Sequence, residues 1–423
     1  MAYKTLVIQN YNTGIAQGIS LTRYHLIGTG LHAAYTTEPE VNRTFRTAGV
    51  FSNLFIRVIA SNTINTTTYQ FRKNTANGNQ IISILAGTTG EFEDVANTDA
   101  ISIDDEACLS VVTGAGTSEI IRYTLRSLLF LANSSSVSFL LGQTLMSFAT
   151  DSVTRYSVII GYGAALGQTV EGNVQHTARN TGTVTAFSGY IQTNARITTS
   201  TVGLRKNTAN GNSVLSIGAG LTGWFQDITN TDTVAIGDFL NYYATTSTGG
   251  GALYFKHSVL EFVNSDAFQT IAGGQNLQGV AYTSSSVSTS DITGYVAVGI
   301  DEANESARID YASTQSNFHI NLQVNGVTST STWRVRKNLA NGNQVISIPA
   351  STTGKFEDVT NTDSFSAGDD LCTQLTAGAG GTQITPGPIS IKASALFVAD
   401  PSAGGISSAV KMRRISIFNK INL

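Results

Sequence analysis

An all-β chain of three tandem two-sheet sandwiches is what the sequence predicts. Three observations predict it: a domain-sized internal repeat, a strand-and-turn composition, and period-two alternation inside each copy. The repeat comes first. Phe71–Asp99 reads FRKNTANGNQIISILAGTTGEFEDVANTD, Leu204–Asp232 reads LRKNTANGNSVLSIGAGLTGWFQDITNTD, and Val335–Asp363 reads VRKNLANGNQVISIPASTTGKFEDVTNTD. The copies are offset by 133 and then 131 residues. A period near 130 is too long for a solenoid unit or a propeller blade, and it fits a whole domain. Matching apolar stretches at Arg126–Asn133, His257–Asn264 and Lys392–Ala399 close the copies. The division is therefore 1–133, 134–264 and 265–400, with a C-terminal extension at 401–423.

Composition agrees. Hydrophobic residues make up 41% and charged residues 13%, with 41 glycines and 5 prolines in 423 residues, which suits short strands joined by tight turns. Within each copy Ile82 and Ile84 alternate with Ser83, Leu215 and Ile217 with Ser216, and Ile346 and Ile348 with Ser347, so one strand face meets a core. Asn77-Gly78, Asn210-Gly211 and Asn341-Gly342 are the expected type I′ hairpin turns. Gly90, Gly223 and Gly354 mark a turn before the aromatic anchors Phe92, Phe225 and Phe356, and Gly-Asp at 237–238 and 368–369 reopens a strand. Seven to nine strands in about 130 residues point to a sandwich of the jelly-roll kind.

A net charge of −3 offers no footprint for a phosphate backbone, so nucleic acid is not an expected partner. No run of 18 apolar residues is present and the start MAYKTLVIQN lacks a secretory pattern, so neither membrane insertion nor secretion is expected.

The RKN-x-ANGN…SI…TG-x-F-x-D…NTD block followed by Gly-Asp resembles repeats in phage structural proteins. More distantly it resembles the jelly rolls of the tumour-necrosis-factor and C1q superfamily. The resemblance implies a virion component made in a host cytoplasm, a capsid decoration protein or a tail or fibre protein. Its expected partners are itself, as a homotrimer, and other virion proteins. A host-surface glycan is the partner under an alternative reading as an adhesin. The first copy departs from Gly-Asp, carrying Ile103-Asp104-Asp105.

No catalytic, cofactor or metal residue is assigned. Asp94, Asp99 and their copies Asp227, Asp232, Asp358 and Asp363 could hold calcium, but Asx side chains bonding their own backbone in turns explain them better. Paired carboxylates could also serve a polysaccharide hydrolase, yet recurrence in all three copies favours a folding role. Gly-rich strings at Gly28 and Gly161 lack the following helix of a dinucleotide site. The five histidines, including His25, His32, His176, His257 and His319, have no metal spacing. Cys108 and Cys372 are expected to be buried thiols, and Trp224, Tyr242, Tyr243 and Trp333 to be core or edge aromatics. Arg72-Lys73 and its copies are expected at strand ends, with pairing to acids across a subunit contact as the functional alternative. In the extension, Lys411, Arg413 and Arg414 stand beside Ile415, Ile417 and Phe418, an assembly segment expected to add as a strand to a sheet edge or pack on a neighbouring subunit or an acidic capsid surface, with folding back on the third domain as the alternative.

Overall fold

The structure, a computed structural model, describes residues 2–7, 15–18, 20–27, 35–114, 121–133, 136–148, 153–162, 167–247, 249–273, 282–283, 287–290, 302, 306–394 and 397–398. It is nearly all β. In the first unit the main strands are β1 (Ala2–Val7), β2 (Thr22–His25), β3 (Gly49–Ser61), β4 (Thr67–Lys73), β5 (Ala76–Ile84), β6 (Gly90–Ile101), β7 (Glu106–Val112) and β8 (Ile121–Ala132). They form two antiparallel sheets, of order β1-β8-β3-β6 and β2-β7-β4-β5, which is the strand order of a jelly roll.

The second unit repeats this order with β9 (Val137–Phe148), β10 (Thr154–Ser157), β11 (Gly182–Arg196), β12 (Ser200–Lys206), β13 (Ala209–Ile217), β14 (Gly223–Asp227), β15 (Phe239–Thr245) and β16 (Gly250–Asn264). The third has β17 (Phe268–Gly273), β18 (Val287–Ser290), β19 (Ser313–Val327), β20 (Ser331–Lys337), β21 (Ala340–Ile348), β22 (Gly354–Phe365), β23 (Asp370–Thr376) and β24 (Gly381–Ser394). A last short strand, β25 (Phe397–Val398), pairs antiparallel with β1, Tyr3 opposite Phe397.

Each unit encloses an apolar cluster between its two sheets. Ile82, Ile84, Phe51, Phe71 and Phe130 lie in the first, Phe187, Leu215, Ile217, Tyr242 and Phe255 in the second, and Trp333, Ile346, Ile348 and Phe318 in the third. The alternation read from β5 is the physical cause: Ile82 and Ile84 are buried while Ser83 faces water. Burying each such side chain contributes about 1.5–3 kcal/mol. Phe92, Phe225 and Phe356 pack half-buried against their clusters, as expected of anchors.

One expectation is corrected. The hairpin between β4 and β5 turns at Asn74-Thr75, not at Asn77-Gly78: Asn74 and Thr75 have φ of 49° and 63°, and Lys73 pairs with Ala76. Asn207-Thr208 and Asn338-Leu339 do the same. Asn74 tolerates this conformation because its side chain is tied down, accepting from the N–H of Glu106 (2.8 Å) and donating to Asp105 (2.6 Å). Gly78 serves another purpose. It sits where the ladder slips register, and a Cβ there would stand 2.6 Å from Asp99 Oδ1, so glycine admits the carboxylate to the backbone. The departure at Asp104 leaves its turn intact, since Asp104 adopts φ 72° where Gly237 and Gly368 adopt 90° and 93°.

The recurring aspartates bond backbone: Asp94 and its copies cap their own turns, as expected, whereas Asp99 and its copies reach the backbone of another strand instead. Asp94 on β6 accepts from Ile81 N–H on β5 in the opposite sheet (2.8 Å), and from the N–H groups of Ala96 and Asn97. Asp99 accepts from the N–H groups of Asn79 (2.6 Å) and Gln80 (3.0 Å). Asp227 and Asp232, and Asp358 and Asp363, repeat the pattern. These carboxylates clip the open edges of the two sheets together. Burial alone would raise the Asp227 carboxyl, but hydrogen bonds from Val214 N–H, the Asn230 side chain and the N–H groups of Asn230 and Thr229 outweigh it and hold it below the usual range.

A depressed carboxylate contributes stability that is present above its unfolded value, near 3.9, and is lost as pH falls through the folded value. Asp227→Asn is therefore expected to cost about 1–3 kcal/mol at pH 7 in urea titrations. The deficit should shrink below pH ~4; a deficit unchanged down to pH ~2 would contradict the clip.

Candidate assembly seams between the units

The connection between the second and third strands of each unit crosses toward the next unit. In the first it carries a 3-10 turn at Glu38–Glu40 and a short strand at Arg43–Thr44; in the second, Glu171–Val174 and His176–Thr177; in the third, Ala307–Arg308. A buried fork holds it in place. Arg72 grips Glu38 with Nε (2.9 Å) and Nη2 (2.7 Å), and also donates to Asn77 Oδ1 and Thr75 O. Arg205 grips Glu171 (2.6 and 3.1 Å) and Arg336 grips Glu302 (3.2 and 2.8 Å) in the same way. The carboxylate lies 34 residues before its arginine every time. Planar, bidentate pairing of this sort fixes geometry as well as charge.

The basic dipeptide thus pairs inside its own unit, a correction to the expectation of a solvated strand end. Lys73 meets Asp105 at 2.8 Å and Lys337 meets Asp369 at 2.8 Å. The glutamates were missed in the sequence; their fixed spacing was the signal that could have found them.

Held this way, the segment docks on the sheet of the following unit that contains its first, eighth, third and sixth strands. From first to second unit, Pro39 O accepts from Trp224 Nε1 (3.1 Å), Lys256 reaches Glu40 (3.0 Å), and Thr44 accepts from Gln226 (3.2 Å). Arg46 donates to Gln226, and Glu261 accepts from Arg46 N–H (2.6 Å) and the Thr47 hydroxyl (3.0 Å). From second to third, the carbonyl of Gly172, the counterpart of Pro39, accepts from Asn321 (2.9 Å), Thr177 meets His319 (3.1 Å), and Arg179 pairs with Glu357 (2.7 Å).

From third to first, Arg308 pairs with Glu93 (2.7 Å) and lies over the Phe55 ring at 4.4 Å, while Leu129 of β8 joins the third cluster. The receiving residues Glu93, Gln226 and Glu357 occupy one repeat position, after the aromatic anchor. Three contacts of one sense, closed by β25 on β1, make a head-to-tail ring within a single chain.

Cys108 and Cys372 are buried thiols, not joined in a disulfide. Cys108 donates to Glu38 (3.7 Å), and burial followed by the Glu38 charge pushes it well above the ordinary thiol range. Trp333 and Tyr242 are core residues, Tyr243 is buried, and Trp224 lies at a seam. His25, His176, His257 and His319 are buried. Gly28, His32 and the assembly candidates Lys411, Arg413, Arg414, Ile415, Ile417 and Phe418 lie outside the described residues.

Two buried ionisable groups make the first seam sensitive. Glu261, 2% exposed, is pushed up to about 7 by burial, against the pull of the Arg46 N–H, the Thr47 hydroxyl and the Arg46 charge. Arg43, 1% exposed, makes no side-chain hydrogen bond among the described residues, and burial, opposed by Tyr242, brings it down to about 9.

A raised carboxyl contributes stability that is complete below its unfolded value and is lost as pH rises through the folded one. Buried His176 and His319, held below the ordinary histidine value by burial, act in the opposite sense, so the clean measure is a difference. Glu261→Gln should gain about 2–3 kcal/mol on the wild type between pH ~5 and ~8 in denaturant titrations; a constant difference would contradict the shift. Arg43→Met should be neutral or stabilising by about 1–4 kcal/mol, because it removes a buried cation that has no ion pair among the described residues. A marked loss in thermal melting would show that Arg43 has a partner. No protein-family model matches the chain, and no curated protein matches it, so what it does rests on its own residues.

Proposed function

We propose that the chain is a non-enzymatic structural component of a bacteriophage virion, a capsid decoration protein or part of a tail or fibre, made in the host cytoplasm. The observation that carries the reading is the cyclic seam. The same loop of each unit docks on the same sheet of the next, and the third unit returns to the first. Such a ring presents three sets of loops about one axis, the arrangement suited to a threefold site on a larger particle. Three units of one chain stand where three subunits of a homotrimer would, leaving other virion proteins as partners. The six recurring aspartates, the candidates for acid or base, are occupied by backbone N–H groups, which supports a scaffold over a hydrolase.

A second reading, an adhesin for a host-surface glycan on the same fold, is favoured by one observation, a cavity lined by both charged and apolar side chains at the seam between the second and third units. Light scattering should give the mass of one chain, 44.6 kDa; three times that mass would mean a homotrimer of whole chains, as the resemblance implies. Gradient-purified particles from infected cells, probed with antibody to the chain, should contain it in constant ratio to a major virion protein. Its absence from the particles would overturn the structural reading.

A further inference from the structure

We propose that the cavity between the second and third units binds the carboxylate of a small organic acid. The cavity, about 360 Å³, is lined by Thr177, Arg179 and Phe239 of the second unit and by His319, Lys355 and Glu357 of the third. Arg179 is 4% exposed in its side chain and gives one Nη to Glu357, whose own side chain is 48% exposed. The Lys355 ammonium lies over the Phe239 ring, 2.7 Å from its centroid, with Gln175 Oε1 at 3.5 Å. His319, 2% exposed, uses Nε2 toward Thr177, and its Nδ1 has no hydrogen-bond partner among the described residues. Two cations and an unpartnered histidine nitrogen therefore line a cavity whose lining carries one carboxylate, the half-solvated Glu357, and that carboxylate pairs with Arg179. Partial burial and the neighbouring Arg179 bring the Lys355 amine down to about 8, as expected of a cation short of counter-charge.

The other seams show why this one is open. At the first, Arg46, the repeat counterpart of Arg179, is neutralised by Asp104 of its own unit. The counterpart of Asp104 is Gly237, which lines the cavity and whose missing Cβ would meet nothing within 4 Å. At the Lys355 position the first seam has Trp224, and at the third seam Glu91 stands there, facing Arg57 at 3.9 Å. The first unit thus fills internally, with its own carboxylate, the place that the second leaves vacant. Phe239, Ile236 and Val359 add apolar wall, which suits the carbon skeleton of an acid more than a bare inorganic ion. This inference is independent of the virion reading, and failure of one leaves the other standing.

The test is calorimetry on the full chain with glucuronate, with glucose as the neutral control. Glucuronate should bind saturably, glucose should not, and rising salt should weaken the binding. Lys355→Gln should weaken it about tenfold or more, the loss expected of one charge-assisted contact. Gly237→Asp, which copies Asp104 at a positive φ that Asp104 already adopts, should abolish binding while leaving thermal stability equal or higher. If methyl glucuronide binds as well as the free acid, the ligand is placed on a glycan; if only the free acid binds, it is placed as a soluble metabolite. No binding of glucuronate, equal binding of glucose, or binding untouched by both substitutions would overturn the proposal.

Discussion

The bidentate grip of an arginine on a glutamate 34 residues upstream is the interaction on which the seams depend. A loop between two sheets has little reason to keep one shape, because its backbone finds equally good partners in water. Arg72, rooted at the end of β4 and braced by Asn77 Oδ1 and Thr75 O, removes that freedom from the segment around Glu38. With the segment held, Pro39 offers its carbonyl outward to Trp224. The second unit repeats the sequence of events with Arg205, Glu171 and the carbonyl of Gly172. The fork is mostly buried, so losing one partner strands a charge away from water, a cost of about 3–5 kcal/mol.

Closure of three head-to-tail contacts has a further consequence. A heterologous interface that fails to close propagates into a filament, whereas one that closes uses up its own adhesive surfaces. The pairing of β25 with β1 also covers a sheet edge that would otherwise be open to strand addition. Because the three units share a chain, each seam is free to vary. Glu261 beneath Arg46, the cation-rich cavity at Arg179, and the stacking of Arg308 on Phe55 are three different solutions to one docking problem.

Much of this was legible in the sequence because it is local. Ile82 and Ile84 flanking Ser83 report which face of β5 is dry, and the repeat reports that the same sandwich is built again. Asn77-Gly78 misled for a reason equally physical. The dipeptide satisfies the local demands of a type I′ turn, while its glycine answers Asp99, 21 residues away, whose approach no local pattern encodes. Glu38 and Glu171 share the flank Thr-x-Glu-x-x-Val-x-x-Thr, but Glu302 stands in unlike sequence, so the triplet is plain only when each glutamate is counted back from its arginine. The seam cations were hidden because Arg308 is aligned with Thr44 and Thr177 and not with Arg46 and Arg179. Contacts between units join residues whose equivalence only the folded ring makes plain.

The most direct measurement of the ring is a charge-swap cycle on Arg308 and Glu93, which meet across the closing seam. Arg308→Glu and Glu93→Arg should each lower the unfolding free energy. Together in one chain they should recover at least about 0.5–1 kcal/mol of the summed loss, with a midpoint independent of protein concentration. Strictly additive losses, or a coupling that appears only as concentration rises, would contradict closure of the ring within a single chain.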